Sequence, residues 1–336
     1  MKFETRWQRN LHIAVNPKSV VVESEAIYVT ERFSKLSKIC VHTGQTIWSQ
    51  TIPGTWGWTT IANDRVYYMA QIHGLYIFCA KSGKQIDKQN YNFPYNGYVK
   101  VSNNLIVTGG WRGHTNLTAI SLITKKTLWS YPTKSAEIKE ISVPYFLDKG
   151  RLLIVNHSTN YILIINTRTG KLIKKVMIPD GIKSVDLGRP YCVLNNQLAF
   201  LSSRGKLYLL DIKSLSFTVE NLPLSTNHTN LPYFFSDKMV FRDSEHTYSL
   251  FDRSQNKILR KIPIAHNTWT EVIAAEITDD RFVIAGSYGT MKVVSRTGET
   301  LQSLPSEKRI TTPLHNIDGH LIYGTKGSLK SLKYQD

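Results

Sequence analysis

Histidine and glutamate side chains are the groups in this sequence that could carry out acid–base chemistry. The candidates are His114, Glu140, His157, His228 and Glu271. Imidazole titrates in the range that general acid–base catalysis requires. No linear catalytic motif accompanies these residues, because Gly-x-Ser-x-Gly, Gly-x-x-x-x-Gly-Lys and His-Glu-x-x-His are all missing from the sequence. A catalytic site would therefore have to be assembled by the fold from distant segments.

A second group of residues is suited to binding. Aromatic and basic side chains recur in short segments between apolar runs: Trp56, Trp58, Tyr95, Tyr98, Trp111, Arg112, His114, Arg189, Trp269 and Tyr288. Aromatic faces beside guanidinium and imidazole groups bind planar, anionic or peptide ligands through stacking and charge-assisted hydrogen bonds. We predict that these residues bind a small molecule or a peptide. The alternative for Trp56 and Trp58 is packing between neighbouring sheets.

The sequence predicts neither a metal site nor a membrane segment. Cys40, Cys79 and Cys192 are far apart and form no Cys-x-x-Cys pair, which argues against a disulfide framework and a thiolate zinc site. The first residues contain no apolar run typical of a secretory signal. The longest apolar runs are about as long as a strand and too short to span a bilayer as a helix. We expect a cytoplasmic protein without a membrane segment.

The chain is strongly basic. It has 42 Lys and Arg against 25 Asp and Glu, a formal net charge of +17. The lysines are scattered along the chain rather than grouped, and no RNA-binding or DNA-binding motif accompanies them. Scattered charge favours solubility over a nucleic-acid groove, so a nucleic-acid partner is not expected.

Short turns recur between apolar, strand-like runs. The clearest copies are Asn63-Asp64, Asn103-Asn104 and Asp279-Asp280. Asn and Asp tolerate positive φ, so each copy predicts a β-hairpin. Eight copies, counted by their first residue, lie at positions 23, 63, 103, 148, 195, 236, 279 and 318.

A second series of turns lies between these hairpins. Seven complete copies begin at Cys40, Cys79, Ser121, Asn166, Asp211, Asp252 and Val294. Each copy separates two apolar strands, so every repeat contains four short strands. Repeats of about 40–45 residues with four strands are typical of β-propeller blades. The sequence therefore predicts an all-β, eight-bladed β-propeller with four-stranded blades, in which residues 1–336 form a single domain.

The last repeat is incomplete at its carboxyl end. After the hairpin at Asp318 the chain ends before a fourth strand, and Trp7 lies 41 residues before Trp48. We therefore predict that residues of about 2–10 supply the missing strand of the last blade. In such a fold the connections entering the first strands and those joining the second and third strands meet around the central channel. These connections carry the aromatic and basic residues above, which we call the rim.

The turns of the second series resemble a known repeat. Thr43-Gly44-Gln-Thr-Ile-Trp48 and Thr124-Lys125-Lys-Thr-Leu-Trp129 are similar to the Ala-x-Asp-x-x-Thr-Gly-x-x-x-Trp repeat of the quinoprotein alcohol dehydrogenase-like (PQQ-like repeat) propellers. The resemblance implies that Trp7, Trp48 and Trp129 pack against the turn of the next blade. Enzymes of that family hold pyrroloquinoline quinone with a vicinal disulfide and a calcium site. This sequence has no vicinal cysteines, and we expect no cofactor and no metal.

The fold allows several functions. The first hypothesis is a ligand-binding or partner-binding propeller that uses the rim without chemistry of its own. The second is a cofactor-independent enzyme of the cyclase, lyase or hydrolase type, acting on a small aromatic or polyketide-like substrate through His and Glu of the central funnel. The third is a scaffold for a multiprotein complex that uses the outer strands of the blades.

Overall fold

The structure is a computed structural model. It describes residues 2–12, 20–31, 34–53, 57–70, 74–90, 98–109, 116–131, 145–147, 150–156, 161–177, 192–194, 196–202, 206–222, 232–235, 237–244, 246–265, 273–304 and 308–335. These residues contain strands and turns and no helix. Contacts divide the chain into two compact units, one of residues 28–38 and 46–182 and one of residues 1–27, 39–45 and 183–336.

The described residues form eight antiparallel sheets of four strands each, numbered here as blades in chain order. Blade 1 is β2 (Val20–Glu23), β3 (Ala26–Glu31), β4 (Lys35–Cys40) and β5 (Thr46–Thr51). Blade 2 is β6 (Gly57–Ala62), β7 (Arg65–Ala70), β8 (Gly74–Cys79) and β9 (Gln85–Gln89). Blade 3 is β10 (Tyr98–Ser102), β11 (Leu105–Gly109), β12 (Leu117–Ser121) and β13 (Thr127–Tyr131). Blade 4 is β14 (Tyr145–Phe146), β15 (Arg151–Asn156), β16 (Tyr161–Asn166) and β17 (Leu172–Met177).

The remaining blades follow the same plan. Blade 5 is β18 (Cys192–Leu194), β19 (Gln197–Leu201), β20 (Lys206–Asp211) and β21 (Phe217–Asn221). Blade 6 is β22 (Tyr233–Phe235), β23 (Lys238–Ser244), β24 (Thr247–Asp252) and β25 (Lys257–Pro263). Blade 7 is β26 (Ile273–Thr278), β27 (Arg281–Ala285), β28 (Met291–Ser295) and β29 (Thr300–Leu304). Blade 8 is β30 (His315–Ile317), β31 (His320–Thr325), β32 (Ser328–Gln335) and β1 (Lys2–Asn10). The fold is an eight-bladed β-propeller, as predicted.

The amino-terminal strand completes blade 8. β1 pairs antiparallel with β32, from Lys2 opposite Gln335 to Asn10 opposite Ser328. Beyond the strand, the backbone N–H of Leu11 donates to the carbonyl of Gly327 at 3.1 Å. The prediction that the two ends of the chain share a sheet is confirmed.

The second series of turns depends on one left-handed residue in each copy. The fifth residue has positive φ in all seven: Gly44, Gly83, Lys125, Gly170, Leu215, Asn256 and Gly298. Glycine adopts this conformation without a steric penalty, whereas a side chain makes it unfavourable by about 1–2 kcal/mol. Lys125 and Leu215 therefore adopt a left-handed backbone conformation that is unfavourable for residues with a side chain.

Three tryptophans pack onto these turns. A Cβ placed on Gly44, Gly83 or Gly170 would lie 2.7 Å from the nearest ring atom of Trp7, Trp48 or Trp129 respectively. Each indole therefore lies directly on a glycine of the next blade, which confirms the packing that the repeat implies. A side chain at these glycines would collide with the indole.

Each indole also donates one hydrogen bond to the same turn. The Nε1 groups of Trp7, Trp48 and Trp129 donate to the carbonyls of Val41 at 2.7 Å, Ala80 at 3.0 Å and Thr167 at 2.6 Å. Trp48 and Trp129 are buried. Packing and hydrogen bonding together make each indole a joint between adjacent sheets.

Blades 2 and 3 are joined by charges at the equivalent positions. Asp87 occupies the tryptophan position of blade 2, and Lys125 occupies the glycine position of blade 3. Their side chains form an ion pair with an Nζ–Oδ2 distance of 2.7 Å. The ion pair lowers the pKa of the Asp87 carboxyl. The ion pair therefore takes the place of both the indole and the glycine that form the other joints.

The fourth strands carry β-bulges just before the tryptophan position. The pairing of the third and fourth strands skips one residue in blades 2, 3, 4, 6, 7 and 8, and the skipped residues are Ile86, Leu128, Ile173, Leu259, Leu301 and Arg6. About half of the side chain of Ile86, Leu128, Ile173 and Leu301 is exposed. A bulge re-aims a side chain and protects a sheet edge from pairing.

Candidate functional site

Three rim residues lie in the described part of the chain. Trp58 lies on β6, is 8% exposed and packs in a buried cluster with Tyr67 and Met69. Tyr98 is the first residue of β10. Tyr288, in the connection between β27 and β28, is 57% exposed. The burial of Trp58 agrees with the packing alternative, whereas the exposure of Tyr288 agrees with a place on a binding surface.

The other predicted site residues lie outside the described residues. From the rim these are Trp56, Tyr95, Trp111, Arg112, His114, Arg189 and Trp269. All five catalytic candidates, His114, Glu140, His157, His228 and Glu271, also fall there. The binding and catalytic roles of these residues stay predictions.

The first strands of blades 2 and 3, β6 and β10, lie side by side. The Oγ1 group of Thr60 on β6 donates to the carbonyl of Val99 on β10 at 2.8 Å. Val99 also joins Trp58 in one buried cluster. β6 and β10 therefore run next to each other. Because adjacent strands are antiparallel, β11 ends and β12 begins at the end of the sheet where β10 begins.

Two aspartate carboxylates, those of Asp211 and Asp252, accept hydrogen bonds from the backbone of turns. Oδ1 of Asp211 accepts hydrogen bonds from the backbone N–H of Ser214 at 2.6 Å and of Lys213 at 3.0 Å, which lower the pKa of Asp211. Asp252 caps the equivalent turn of blade 6 and accepts from Nζ of Lys238 at 2.6 Å. This ion pair holds the pKa of Asp252 well below its ordinary value. Neither carboxylate is prepared to act as a general acid or base near neutral pH.

Two cysteines occupy the same capping position. Cys40 and Cys79 are free thiols at the start of the turns of blades 1 and 2. Hydrogen bonds from the Thr43 and Ser82 side chains lower the pKa values of these thiols. Other blades have Ser121, Asn166, Asp211 or Asp252 at this position. The sulfur atoms thus replace the oxygen acceptors of the turn.

Among the residues that the structure describes, no three His, Cys, Asp or Glu side chains are placed to hold a metal ion. Within the same residues, no helix has the length and apolar character needed to cross a membrane.

Comparison with known proteins identifies the family. The PQQ-like repeat model described as outer membrane protein assembly factor BamB matches residues 4–218. The chain belongs to this family. The match confirms the resemblance in the repeat, and it spans the three tryptophan joints from Trp7 to Trp129.

Two solved structures share the fold of this chain. The crystal structure of BamB from Moraxella catarrhalis is 13% identical, covers 99% of this chain and 100% of its own, and has a TM-score of 0.71. The computationally designed Ika8 protein is 12% identical, covers 97% of this chain and 98% of its own, and has a TM-score of 0.69. No curated protein matches the sequence. At these identities the likeness concerns the fold alone.

Two features of this BamB-like chain escaped the sequence analysis. Arg242 on β23 is 1% exposed, and its Nε donates to the carbonyl of Ser244 at 3.0 Å. The rings of His42 and His320 lie 5.4 Å apart at a T-shaped angle. An arginine directly after the apolar residues of a predicted strand is a sequence signal that could have identified Arg242. Nothing in the sequence signals the histidine pair, since 278 residues separate its members.

Proposed function

We propose that this chain is a protein-interaction module that recognises a protein or peptide partner through the rim residues of blades 2 and 3. These residues are Trp56, Tyr95, Tyr98, Trp111, Arg112 and His114; the buried Trp58 packs in a cluster with Val99 instead. The BamB-like, PQQ-like-repeat propeller is compatible with an interaction scaffold. The cytoplasmic location and the lack of a cofactor stay predictions from the sequence.

The contact between Thr60 and Val99 is the observation that carries this proposal. It brings the starts of β6 and β10 together, so that the segments containing Trp56 and Tyr95 enter neighbouring strands. Aromatic residues and arginine dominate the binding energy of protein interfaces. Loops held by a rigid scaffold are the usual place for such residues.

Site-specific crosslinking in the native host tests the proposal. A photoreactive phenylalanine analogue replaces Trp111, and the control carries the same analogue in place of Leu301, which is 47% exposed on β29. We expect a defined protein adduct at position 111 that is lost at position 301. Arg112→Ala should weaken the adduct without changing the thermal unfolding temperature. Identical adducts at both positions, or none at position 111, would contradict the proposal.

A further inference from the structure

A cleft of about 320 Å³ opens between blades 3 and 4. It lies at the ends of the strands that carry the turns between first and second strands and between third and fourth strands. The connections of the rim leave the sheets at the opposite ends. The cleft is therefore separate from the surface considered above, and the following inference does not depend on the proposed function.

Apolar side chains from both blades are partly exposed in this cleft. Among the described residues, β14 consists of Tyr145 and Phe146, which pair with β15, and the backbone N–H of Leu147 donates to the carbonyl of Arg151 at 2.9 Å. Phe146 and Leu147 are partly exposed at this end of the strand. On the facing blade, the β-bulge of β13 leaves Leu128 47% exposed. Leu105, also partly exposed, completes an apolar floor.

The walls of the cleft are held by the joint between the two blades. Trp129 donates from Nε1 to the carbonyl of Thr167, and the Oγ1 group of Thr167 donates to the carbonyl of Gly150 at 2.9 Å. These bonds connect the turn that carries Arg168 with the hairpin that carries Arg151. A site built on connected strands and turns loses little entropy when a ligand binds.

The charge of the cleft selects an acidic ligand. The exposed Arg168 lines its edge, and no Asp or Glu is found among its described lining residues. Guanidinium groups bind carboxylates through charge-assisted, often bidentate hydrogen bonds. The cleft volume is at the lower end of the range of about 300–1,000 Å³ for ligand sites, which suits one large side chain with its neighbouring peptide groups.

We propose that this cleft binds a short protein segment that presents a leucine or phenylalanine side chain next to a carboxylate. The apolar side chain covers Leu105, Leu128 and Phe146. The carboxylate pairs with the guanidinium of Arg168 at the edge of the cleft. The exposed amides of Asn103 and Asn104 are available to the backbone of the segment.

Fluorescence anisotropy with labelled peptides tests the proposal on the full chain. The probes are the peptides Glu-Glu-X-Glu-Glu, where X is leucine, phenylalanine or alanine, and the peptide Lys-Lys-Leu-Lys-Lys. We expect saturable binding of the leucine and phenylalanine peptides with a Kd on the order of 10–100 μM. The alanine peptide should bind about tenfold more weakly, and the lysine peptide should not bind. Equal binding of the alanine and leucine peptides would overturn the proposal, because general attraction to a basic protein would then explain it.

Matched variants locate the binding. Arg168→Glu and Leu128→Asp should each raise the Kd of the leucine peptide about tenfold or more. The controls are Lys81→Glu, at the equivalent turn position of blade 2, and Ile173→Asp, at the equivalent bulge of blade 4. These controls should change the Kd less than about twofold. Equal effects of a control and its cleft variant would overturn the proposal.

One further comparison of variants distinguishes binding at the rim from binding in the cleft. Arg112→Ala should leave peptide binding unchanged, and Arg168→Glu should leave the crosslink at position 111 unchanged. If Arg112→Ala abolishes peptide binding and Arg168→Glu does not, the cleft is not the peptide site, whatever the crosslinking result.

Discussion

The ion pair between Asp87 and Lys125 should be convertible into a tryptophan joint by changing both residues. In the three tryptophan joints the indole lies on a glycine, with 2.7 Å between the nearest ring atom and the position a Cβ would take. Lys125 has such a Cβ, so Asp87→Trp alone should overpack the interface. We expect it to lower the free energy of unfolding by about 1–3 kcal/mol.

Lys125→Gly alone should change stability little. Glycine relieves the left-handed strain of Lys125, which has a φ of 60°, a gain of about 1–2 kcal/mol. It also removes an ion pair whose lysine is half exposed, a loss of about 0–1 kcal/mol, and it loses about 0.5–1 kcal/mol through added chain entropy. These contributions nearly cancel.

The double variant should be more stable than the natural chain. Burying an indole of about 150–250 Å² at about 25 cal/mol per Å² gives an upper bound of about 4–6 kcal/mol. Residual burial in the unfolded chain and the loss of the contacts of Asp87 reduce this gain. We expect a net gain of about 2 kcal/mol, and a favourable coupling between the two positions that is at least as large.

Equilibrium urea unfolding of the natural chain, both single variants and the double variant measures this coupling. The mirror experiment at the natural joint is Trp48→Asp, followed by addition of Gly83→Lys, which should recover part of the lost stability. If the single effects add within about 0.5 kcal/mol, the two positions do not act as a unit and the reasoning is refuted.

Three further predictions concern the joints and the histidine pair. Trp48→Ala should lower the free energy of unfolding by about 3–5 kcal/mol in urea titration, because the indole is buried; a loss below about 1 kcal/mol would contradict its role as a joint. Deleting residues 2–10 should lower the thermal unfolding temperature on the order of 10 °C, since β32 loses its partner; an unchanged temperature would refute the closure of blade 8. Burial, followed by the electrostatic effects of His42, Lys333 and Arg6 and opposed by that of Asp318, lowers the pKa of His320 below its ordinary 6.5. Below pH 6.5 the unfolded chain therefore binds a proton at His320 more readily than the folded chain does, so protonation favours unfolding. The midpoint of urea unfolding should fall as the pH drops below 6.5, and it should fall less in His320→Gln. An equal fall in both proteins would exclude His320 as the cause.

Features that depend on a few adjacent residues were predictable from the sequence. Each turn depends on a few adjacent residues, such as Thr43-Gly44, and their recurrence reveals both the four-stranded blade and the number of blades. The pairing of β1 with β32 followed from the same count, since the last repeat needed one more strand. The tryptophan joints were predictable because indole and glycine recur at a constant spacing.

The candidate site was less accessible to this reasoning. Aromatic residues such as Trp58 are equally suited to ligand contact and to packing, and composition does not distinguish the two. In the structure Trp58 is buried, whereas Tyr288 is exposed. The burial of Trp58 depends in part on Val99 of the next blade, 41 residues further along the chain.

Sequence alone determined the architecture of this protein: an all-β propeller of eight blades, closed by its own first strand, with tryptophans between blades. Those features follow from turn chemistry and from a repeat that each blade obeys separately. Only the tertiary structure decided how particular neighbours differ, as in the pairing of Asp87 with Lys125, the contact of His42 with His320 and the cleft beside β14. Each of these arises between segments far apart in the chain, where packing rather than local preference selects the partner.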